Sequence, residues 1–190
     1  GNTVLNIGHL LFPAGKITAL LGPCGSGKST LARIICGLEK AKGASITLNG
    51  QKFTSRDAYL VMQDPTRQLF SDTVIDEVTL GATRVEKQHI DAHAILKELD
   101  LTDHESDHPQ ALSGGQRQRL VIVTALAANK KVYIFDEPTS GVGYKHLVAI
   151  SQVMRKLADT GAVVIVITHD AELVTEAADH SVRLDQINAC

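Results

Sequence analysis

One short stretch of the chain has the composition of a phosphate-binding loop. It fits the pattern G-x-x-x-x-G-K-[ST] and consists of Gly22, Pro23, Cys24, Gly25, Ser26, Gly27, Lys28, Ser29 and Thr30. Glycines let the backbone curl until several N–H groups face one anion, and a helix that starts in the loop adds its partial positive charge. In this pattern the Lys28 ammonium is expected to bind the β- and γ-phosphates of a nucleotide, and the Ser29 hydroxyl is expected to bind Mg²⁺.

The segments on either side of this loop supply the context that the pattern needs. Residues 17–21 are apolar and short, which is typical of a buried strand, and residues 31–38 begin as a helix that meets a stop at Gly37. The order strand, glycine loop, helix favours a phosphate site over a glycine-rich turn without a ligand. A lysine in such a loop also has no evident structural purpose.

Three further apolar runs end in polar residues that could act on the same phosphates. Residues 132–135 lead into Asp136 and Glu137, residues 163–167 into Thr168 and His169, and residues 59–62 into Gln63. Ligands of open parallel sheets gather beyond the carboxyl ends of the strands, so we expect these side chains to share one crevice.

Each of these polar residues has a predicted role and a plainer alternative. Asp136 is predicted to hold Mg²⁺ opposite Ser29, and Glu137 to polarise the attacking water. His169 is predicted to contact the γ-phosphate and keep the water in line with Glu137, and Gln63 to reach both Mg²⁺ and the water. The alternatives are an acidic turn after the strand, a surface histidine and a surface glutamine.

The composition limits the class of protein. The chain has 190 residues, of which 44% are hydrophobic and 21% charged, as expected for one globular domain. A net charge of −2 lacks the excess of basic residues that is typical of proteins that bind nucleic acid. No apolar run approaches the roughly 18 residues of a membrane span. Three scattered cysteines favour a reducing compartment, so we expect a cytoplasmic location.

Apolar strands alternate with helical segments along the chain. Strands are predicted at 3–7, 9–12, 17–21, 44–48, 59–62, 132–135, 163–167 and 181–184, and helices at 31–36, 74–82, 90–99, 114–128 and 144–159. Asn49-Gly50 predicts a hairpin turn. This order predicts an α/β fold with a mostly parallel sheet core, an N-terminal antiparallel β portion and an inserted helical subdomain. We assign residues 1–62 and 131–190 to the core and 63–130 to the subdomain.

A fifth motif gives the chain a family resemblance. Residues 112–116, which include Ser113, Gly114, Gly115 and Gln116, resemble the signature motif of ATP-binding cassette (ABC) ATPases. The phosphate loop, Gln63, the pair Asp136-Glu137 and His169 stand in the order of that family's P-loop, Q-loop, Walker B motif with its catalytic Glu, and switch His. The resemblance covers almost the whole chain and implies a P-loop NTPase that binds and hydrolyses ATP with Mg²⁺.

The same resemblance implies partners. In the family the signature motif lies at a helix N-terminus and closes on ATP held by the P-loop of a second ABC ATPase domain, so the expected unit is a head-to-tail homo- or heterodimer. Residues 63–74 are similar to the Q-loop region of energy-coupling-factor and cobalt-type importers. Such importers take up vitamins or transition-metal ions through separate transmembrane subunits, which implies a peripheral location on the cytoplasmic face of the cell membrane.

Other classes fit the sequence less well. The short segment between Ser29 and Ser113 leaves no room for the long coiled coil of the chromosome and DNA-repair ABC ATPases. A soluble ABC protein that acts on ribosomes is the main alternative, although the basic linker usual in that class is not seen. A nucleotide kinase would share the phosphate loop, but the signature motif argues against it.

The sequence also departs from the family pattern. After Ser140-Gly141-Val142, Gly143 stands where the family usually has an Asp that couples the two ATP sites, which implies an asymmetric pair of domains. Cys24 stands where Asn is common and places a thiol beside the phosphates. No Tyr precedes the loop to stack on adenine, so we expect the chain to lack the family's first strand.

Two histidine pairs have a spacing that could suit a metal ion. His89 and His93 are four residues apart in a predicted helix, and His104 and His108 are four apart near acidic residues. No cysteine or third converging ligand accompanies either pair, so we interpret them as part of a solvated helix face and a solvated loop.

Overall fold

The structure, a computed structural model, describes residues 9–41 and 43–187, apart from the side chains of residues 84, 85, 186 and 187. Its strands are β1 (Ile17–Leu21), β2 (Thr47–Leu48), β3 (Gln51–Lys52), β4 (Ala58–Val61), β5 (Val132–Asp136), β6 (Val163–Ile167) and β7 (His180–Arg183). Its helices are α1 (Lys28–Ile35), α2 (Val74–Val78), α3 (Arg84–Lys87), α4 (Ala92–Lys97), α5 (Gly114–Thr124), α6 (Tyr144–Asp159), α7 (Ala171–Ala177) and α8 (Leu184–Ile187).

Five strands form a parallel sheet in the order β4-β5-β6-β1-β7. Because the strands are parallel, their carboxyl ends all lie at one edge, where β1 leads into the phosphate loop and β5 into Asp136. Strands β2 and β3 form a separate antiparallel hairpin, and the turn between them has Asn49 and Gly50 at φ values of 51° and 75°. The predicted α/β architecture is confirmed.

The sheet separates two apolar clusters because successive side chains of a strand point to opposite faces. On one face, Ala19, Phe135 and Val166 pack with α2 and α4 to α7. On the other face, Leu20, Ile134 and Ile165 pack with residues of α1 and with Leu184. Helix α6 begins and ends as predicted, and burying its apolar stripe on the first face anchors it.

Helix α1 ends in a turn that requires glycine. Gly37 has a φ of 71°, its N–H donates to the Ile34 carbonyl at 3.0 Å, and the Leu38 N–H donates to the Arg33 carbonyl at 2.8 Å. This is a Schellman motif, in which a left-handed residue satisfies the last carbonyls of a helix. A Cβ atom at Gly37 would lie 2.6 Å from Ser55 Cβ.

We therefore expect Gly37→Ala to lower the free energy of unfolding by about 2–5 kcal/mol, because a left-handed Ala and a steric overlap act together. Gly161 is a matched control, since it follows α6 with a φ of 89° and a Cβ there would meet nothing within 4 Å. Gly161→Ala should lower the free energy of unfolding only through the strain of a left-handed Ala, by about 1–2 kcal/mol. Urea denaturation of both variants measures the difference, and equal losses would contradict the close contact with Ser55.

Some elements differ from the sequence-based expectation. Residues 9–12 are not a strand: Phe12 is half-buried against the α1-side cluster and Leu11 is exposed, but the segment pairs with none of the strands that the structure describes. The strand predicted at 3–7 lies outside the described residues. Helix α7 was not predicted, although Asp170 caps it by accepting from the N–H groups of Glu172 and Leu173.

The described residues between β4 and β5 include no strand, and their regular structure consists of α2 to α5 and short 3₁₀ turns. Its assignment as a separate subdomain, with bounds at 63 and 130, stays a prediction. None of the helices that the structure describes is long and apolar enough to cross a membrane.

Candidate nucleotide-binding site

The phosphate loop connects β1 to α1 through three glycines with positive φ. Gly22, Gly25 and Gly27 have φ values of 145°, 79° and 96°. Position 22 favours glycine, because its φ is strained for other residues and a Cβ there would lie 2.9 Å from Ser26 Oγ. The Lys28 ammonium donates to the carbonyls of Gly22 at 2.7 Å and Pro23 at 3.0 Å, so the lysine closes the loop on itself.

The N-terminus of α1 opens into this loop. Its N-cap is Gly27, and no side chain caps the helix. The first N–H groups of a helix lack partners within the helix, and a side-chain cap would normally satisfy some of them. Here those donors and the positive end of the helix dipole remain for an anion, which suits a phosphate group.

Asp136 and Ser29 lie together at the carboxyl end of β5. The Asp136 carboxylate and the Ser29 hydroxyl are hydrogen-bonded. Burial raises the pKa of Asp136 above its usual value, the Ser29 hydrogen bond lowers it in part, and the neighbouring Glu137 carboxylate adds to the rise. A divalent cation would favour the ionised carboxylate, and a hydroxyl with a carboxylate is a ligand set that suits Mg²⁺. These residues therefore fit the predicted ion.

Glu137 and His169 form a hydrogen-bonded pair across two neighbouring strand ends. His169 Nδ1 lies 2.8 Å from Glu137 Oε1, with the Glu137 side chain 15% exposed and the His169 ring 87% exposed. The buried Thr168 hydroxyl donates to Glu137 Oε2 at 3.4 Å. Glu137 has a φ of 52°, and its N–H donates to the Ile167 carbonyl at 2.9 Å. Such a left-handed Glu costs free energy, and strain of this kind concentrates at functional sites.

A second link joins the same two strand ends. The buried Thr139 hydroxyl donates to Asp170 Oδ2 at 2.8 Å, and the Asp170 N–H donates to Thr168 Oγ at 3.0 Å. Sequence reasoning gave no role to Thr139, Thr168 or Asp170. Their polar side chains next to the predicted catalytic residues were the available signal, but their partners are distant in sequence.

Gln63 lies two residues beyond the end of β4, at the same edge of the sheet as Asp136. Its side chain is exposed. The preceding strand end is held by Gln68, whose side chain accepts from the Met62 N–H at 2.6 Å and donates to the Leu60 carbonyl at 2.6 Å. Gln68 therefore positions the segment from which Gln63 extends, a role that the sequence did not indicate.

The signature motif forms the start of α5. Ser113 is its N-cap, and Ser113 and Gln116 form a reciprocal capping box in which each side chain accepts from the other residue's N–H. Ser113 and Gly114 are exposed, whereas Gly115 and Gln116 are half-buried. Within the described residues, no hydrogen bond joins these four residues to the phosphate loop, so the structure does not bring the two motifs together within one chain.

The geometry agrees with the match to a known family. The family model described as ABC transporter matches residues 5–140, more than half of the chain. The chain belongs to this family. The predicted ATP-hydrolysing ABC domain is thereby confirmed at the level of the family.

Individual relatives support the same assignment of this ABC domain. An ABC transporter ATP-binding protein of Treponema denticola is 42% identical over 164 residues, which cover 84% of this chain and 33% of that protein. The chain thus spans about a third of the length of that relative.

Two solved structures have the same fold. The dimeric, post-hydrolysis ATP-binding cassette MJ0796 bound to ADP and Pi has a TM-score of 0.79 and 29% identity, and the match covers 92% of this chain and 83% of that one. The cbiO1 protein of Clostridium perfringens, described as part of the ABC transporter complex cbiONQ, has a TM-score of 0.76 and 27% identity. That match covers 92% of this chain and 75% of cbiO1.

The thiol in the phosphate loop leads to a chemical test. Cys24 is exposed, whereas burial raises the pKa of Cys36 to about 11, which leaves Cys36 a poor nucleophile at neutral pH. We expect iodoacetamide to modify Cys24 first and to weaken ATP binding by about ten- to a hundredfold, because the adduct crowds the loop, and we expect ATP to protect. Inhibition that persists in Cys24→Ala, in a Cys190→Ser background, would contradict this.

Proposed function

We propose that this ABC domain binds ATP with Mg²⁺ at the carboxyl edge of its sheet and hydrolyses the bond to the γ-phosphate. One observation carries the proposal: the half-buried Glu137 carboxylate is hydrogen-bonded to His169 beside the bonded pair Ser29 and Asp136. A proton acceptor, its orienting partner and two oxygen ligands thus meet next to a loop built for phosphates. This is the set of groups that phosphoryl transfer to water requires.

Each residue of the set has a distinct task. Lys28 and the loop N–H groups bind and orient the phosphates. Ser29 and Asp136 would hold Mg²⁺, and Gln63 would approach it from the end of β4; a bound Mg²⁺ neutralises phosphate charge. Glu137 accepts the proton of the attacking water at its carboxylate, and His169 keeps that carboxylate in place. The hydrogen bond to Thr168 fixes its second oxygen.

We infer further that the active unit contains a second ABC ATPase domain. Ser113 and Gly114 are exposed at the N-terminus of α5, where they are available to a nucleotide held by another domain. The MJ0796 structure is described as dimeric. Gly143 is the N-cap of α6 and provides no side-chain cap, so the carboxylate that the family pattern places there is missing from this half of the interface. An asymmetric pair explains that difference.

The proposed output is import of a small solute, a vitamin or a transition-metal ion, through separate membrane subunits. Residues 63–74 resemble cobalt-type importers, and cbiO1 is described as part of the transporter complex cbiONQ. Within that segment the Phe70 side chain is 74% exposed, while the buried Glu77 carboxylate accepts from the N–H groups of Phe70 and Ser71 at 2.8 and 2.7 Å. Glu77 thus fixes an apolar side chain on the surface, as a membrane subunit would require.

A pull-down in mild detergent tests this proposal. The full-length parent protein is purified from its own cells, and its partners are identified by mass spectrometry. We expect a polytopic membrane protein and an ABC ATPase domain, with loss of the membrane protein in Phe70→Ser and its retention in the control Leu38→Ser, which changes another exposed apolar residue. Ribosomal proteins without a membrane partner would instead support the alternative of a soluble ABC protein that acts on translation.

A further inference from the structure

Three side chains and a backbone N–H form a hydrogen-bonded path from an exposed loop to the start of α5. Asp107 Oδ2 lies 2.7 Å from His104 Nδ1, and His104 Nε2 lies 2.6 Å from Gln116 Nε2. Gln116 Oε1 accepts from the Ser113 N–H at 2.8 Å, and the Gln116 N–H donates to Ser113 Oγ at 3.3 Å. His104 is therefore connected to the capping box through a single side chain.

The donors and acceptors along this path are compatible with one form of the His104 ring. A backbone N–H can only donate, so Gln116 Oε1 must face Ser113 and the Gln116 NH₂ group must face His104. The NH₂ group can only donate in turn, so His104 Nε2 must carry a lone pair. The remaining ring proton is on Nδ1 and is donated to Asp107. The hydrogen-bond pattern thus assigns a neutral ring with its proton on Nδ1.

Protonation of His104 is incompatible with keeping both its bond to Gln116 and the complete capping box. It places an Nε2–H against the Gln116 NH₂ group, which is a contact between two donors. Rotating the amide by 180° would satisfy the ring, but it would turn the NH₂ group toward the Ser113 N–H, again a donor. Either way one bond of the path is lost, and only the neutral ring permits both halves of the capping box together with the bond to His104.

Within the described residues, Asp107 is the charged group that is bonded to the ring. Helix α5 presents the uncharged Gln116, and α2 contacts the loop through backbone N–H groups that donate to the carbonyls of residues 105 and 107. Other charged or titratable side chains on the packed elements have partners elsewhere. These are Glu105 with His93 of α4, Arg117 of α5 with the carbonyls of Gln110 and Leu112, Arg119 of α5 with the Leu99 carbonyl, Asp76 of α2 with Thr73, Glu77 of α2 with the N–H groups of Phe70 and Ser71, and His108 with the Gln110 N–H. Lys97 of α4 is exposed. Asp103 is exposed.

We propose that His104 is a positioning residue for the turn of residues 113–116: its neutral ring accepts from the Gln116 NH₂ group and so holds Gln116 Oε1 on the Ser113 N–H. The consequence for activity rests on the proposed function. Ser113 Oγ accepts from the Gln116 N–H, and its own hydroxyl proton has no acceptor in the described part of the chain, so that proton remains for a phosphate oxygen on the second domain. Loss of the bond between His104 and Gln116 would leave the Gln116 side chain less well fixed and would misplace this donor.

Only the protonated ring lacks an acceptor for the Gln116 NH₂ group, so the effect appears on acidification. From pH 8 to pH 6 we expect the capped turn, and with it ATP-driven association of two domains, to weaken by about two- to tenfold, the scale of a lost N-cap. His104→Gln keeps an acceptor oxygen near the position of Nε2 but cannot be protonated. It should remove this part of the pH dependence. His93→Gln is the matched control, because His93 also pairs with a carboxylate, Glu105, at 2.5 Å but does not reach Gln116.

The first experiment is an NMR titration of the nucleotide-free chain, which does not depend on any activity. We expect the backbone amide of Ser113 and the side-chain amide of Gln116 to shift with the same midpoint as the His104 ring, and the neutral ring to carry its proton on Nδ1. Both shifts should disappear in His104→Gln and remain in His93→Gln. A Ser113 amide that does not follow the His104 ring in the wild-type chain would overturn the proposal, without need of any variant.

The second experiment measures ATP turnover and ATP-dependent association from pH 8 to pH 6 in the same three proteins. A steeper fall in the wild type and in His93→Gln than in His104→Gln supports the proposal. Equal pH profiles in all three proteins, with normal turnover, would overturn its functional part. A chain that shows the coupled NMR titration but hydrolyses no ATP would contradict the proposed function and support the role of His104 in positioning the turn.

Discussion

Glu137→Gln is expected to lower ATP turnover by about 10²–10⁴-fold, the usual scale of a positioned general base, while ATP binding and ATP-dependent association persist. The amide retains the size of the carboxylate and can still bond to His169 and Thr168, which lie 2.8 and 3.4 Å from its two oxygens. It cannot accept the proton of the attacking water at neutral pH. The variant therefore removes the chemical step and leaves the phosphate loop intact.

Single-turnover hydrolysis and equilibrium ATP binding, measured on the same sample, separate these two effects. Glu172→Gln is the matched control. Glu172 is exposed at the start of α7, so this substitution makes the same change of charge near the same strand end. It should turn over ATP like the wild type. Unchanged turnover in Glu137→Gln would remove Glu137 from its proposed role, and a parallel loss of ATP affinity would indicate a role in binding instead.

The parts of the fold that the sequence predicted are those whose signals are local. An apolar run that ends in a glycine loop defines β1 and the start of α1, and Asn49-Gly50 defines the hairpin turn through its left-handed backbone. The apolar runs before Asp136 and His169 became neighbouring strands because parallel strands covered on both faces are continuously apolar. Because parallel strands end at the same edge of a sheet, the polar residues that follow these two strands could be expected to lie close together.

The parts that the sequence did not predict depend on contacts between distant residues. Thr168 contacts Glu137 across two strand ends, and Thr139 contacts Asp170 in the same way; no local pattern indicates either bond. The left-handed backbone of Glu137 is held by the Ile167 carbonyl of the neighbouring strand, so tertiary structure overrides the preference of that residue.

His104 illustrates the same limit in a different place. Its position twelve residues before Gln116, in a polar loop, predicted only a solvated side chain. Folding places the ring between Asp107 and Gln116, and the capping box then restricts it to one protonation state. The motifs of the site can thus be found from the sequence, whereas the hydrogen bonds that orient them are seen only in the structure.

Lys28→Ala is expected to abolish measurable nucleotide binding, with an increase in the ATP Kd of at least about 10²–10³-fold. The Lys28 ammonium lies 2.7 and 3.0 Å from the carbonyls of Gly22 and Pro23, so its charge is held inside the loop where the phosphates are expected. Charge-assisted hydrogen bonds to phosphate contribute about 1.5–3 kcal/mol each, and loss of two of them gives a change of this size.

Lys16→Ala is the matched control for this change. Lys16 directly precedes β1, its side chain is 49% exposed, and its ammonium lies 3.7 Å from Asp179, so the substitution removes the same charge without touching the loop. Isothermal titration calorimetry of both variants with ATP gives the two Kd values, and thermal unfolding without nucleotide shows whether the fold is retained. ATP affinity near the wild-type value in a folded Lys28→Ala protein would contradict the role of the loop as the phosphate site, and the proposed hydrolysis at Glu137 would lose its substrate.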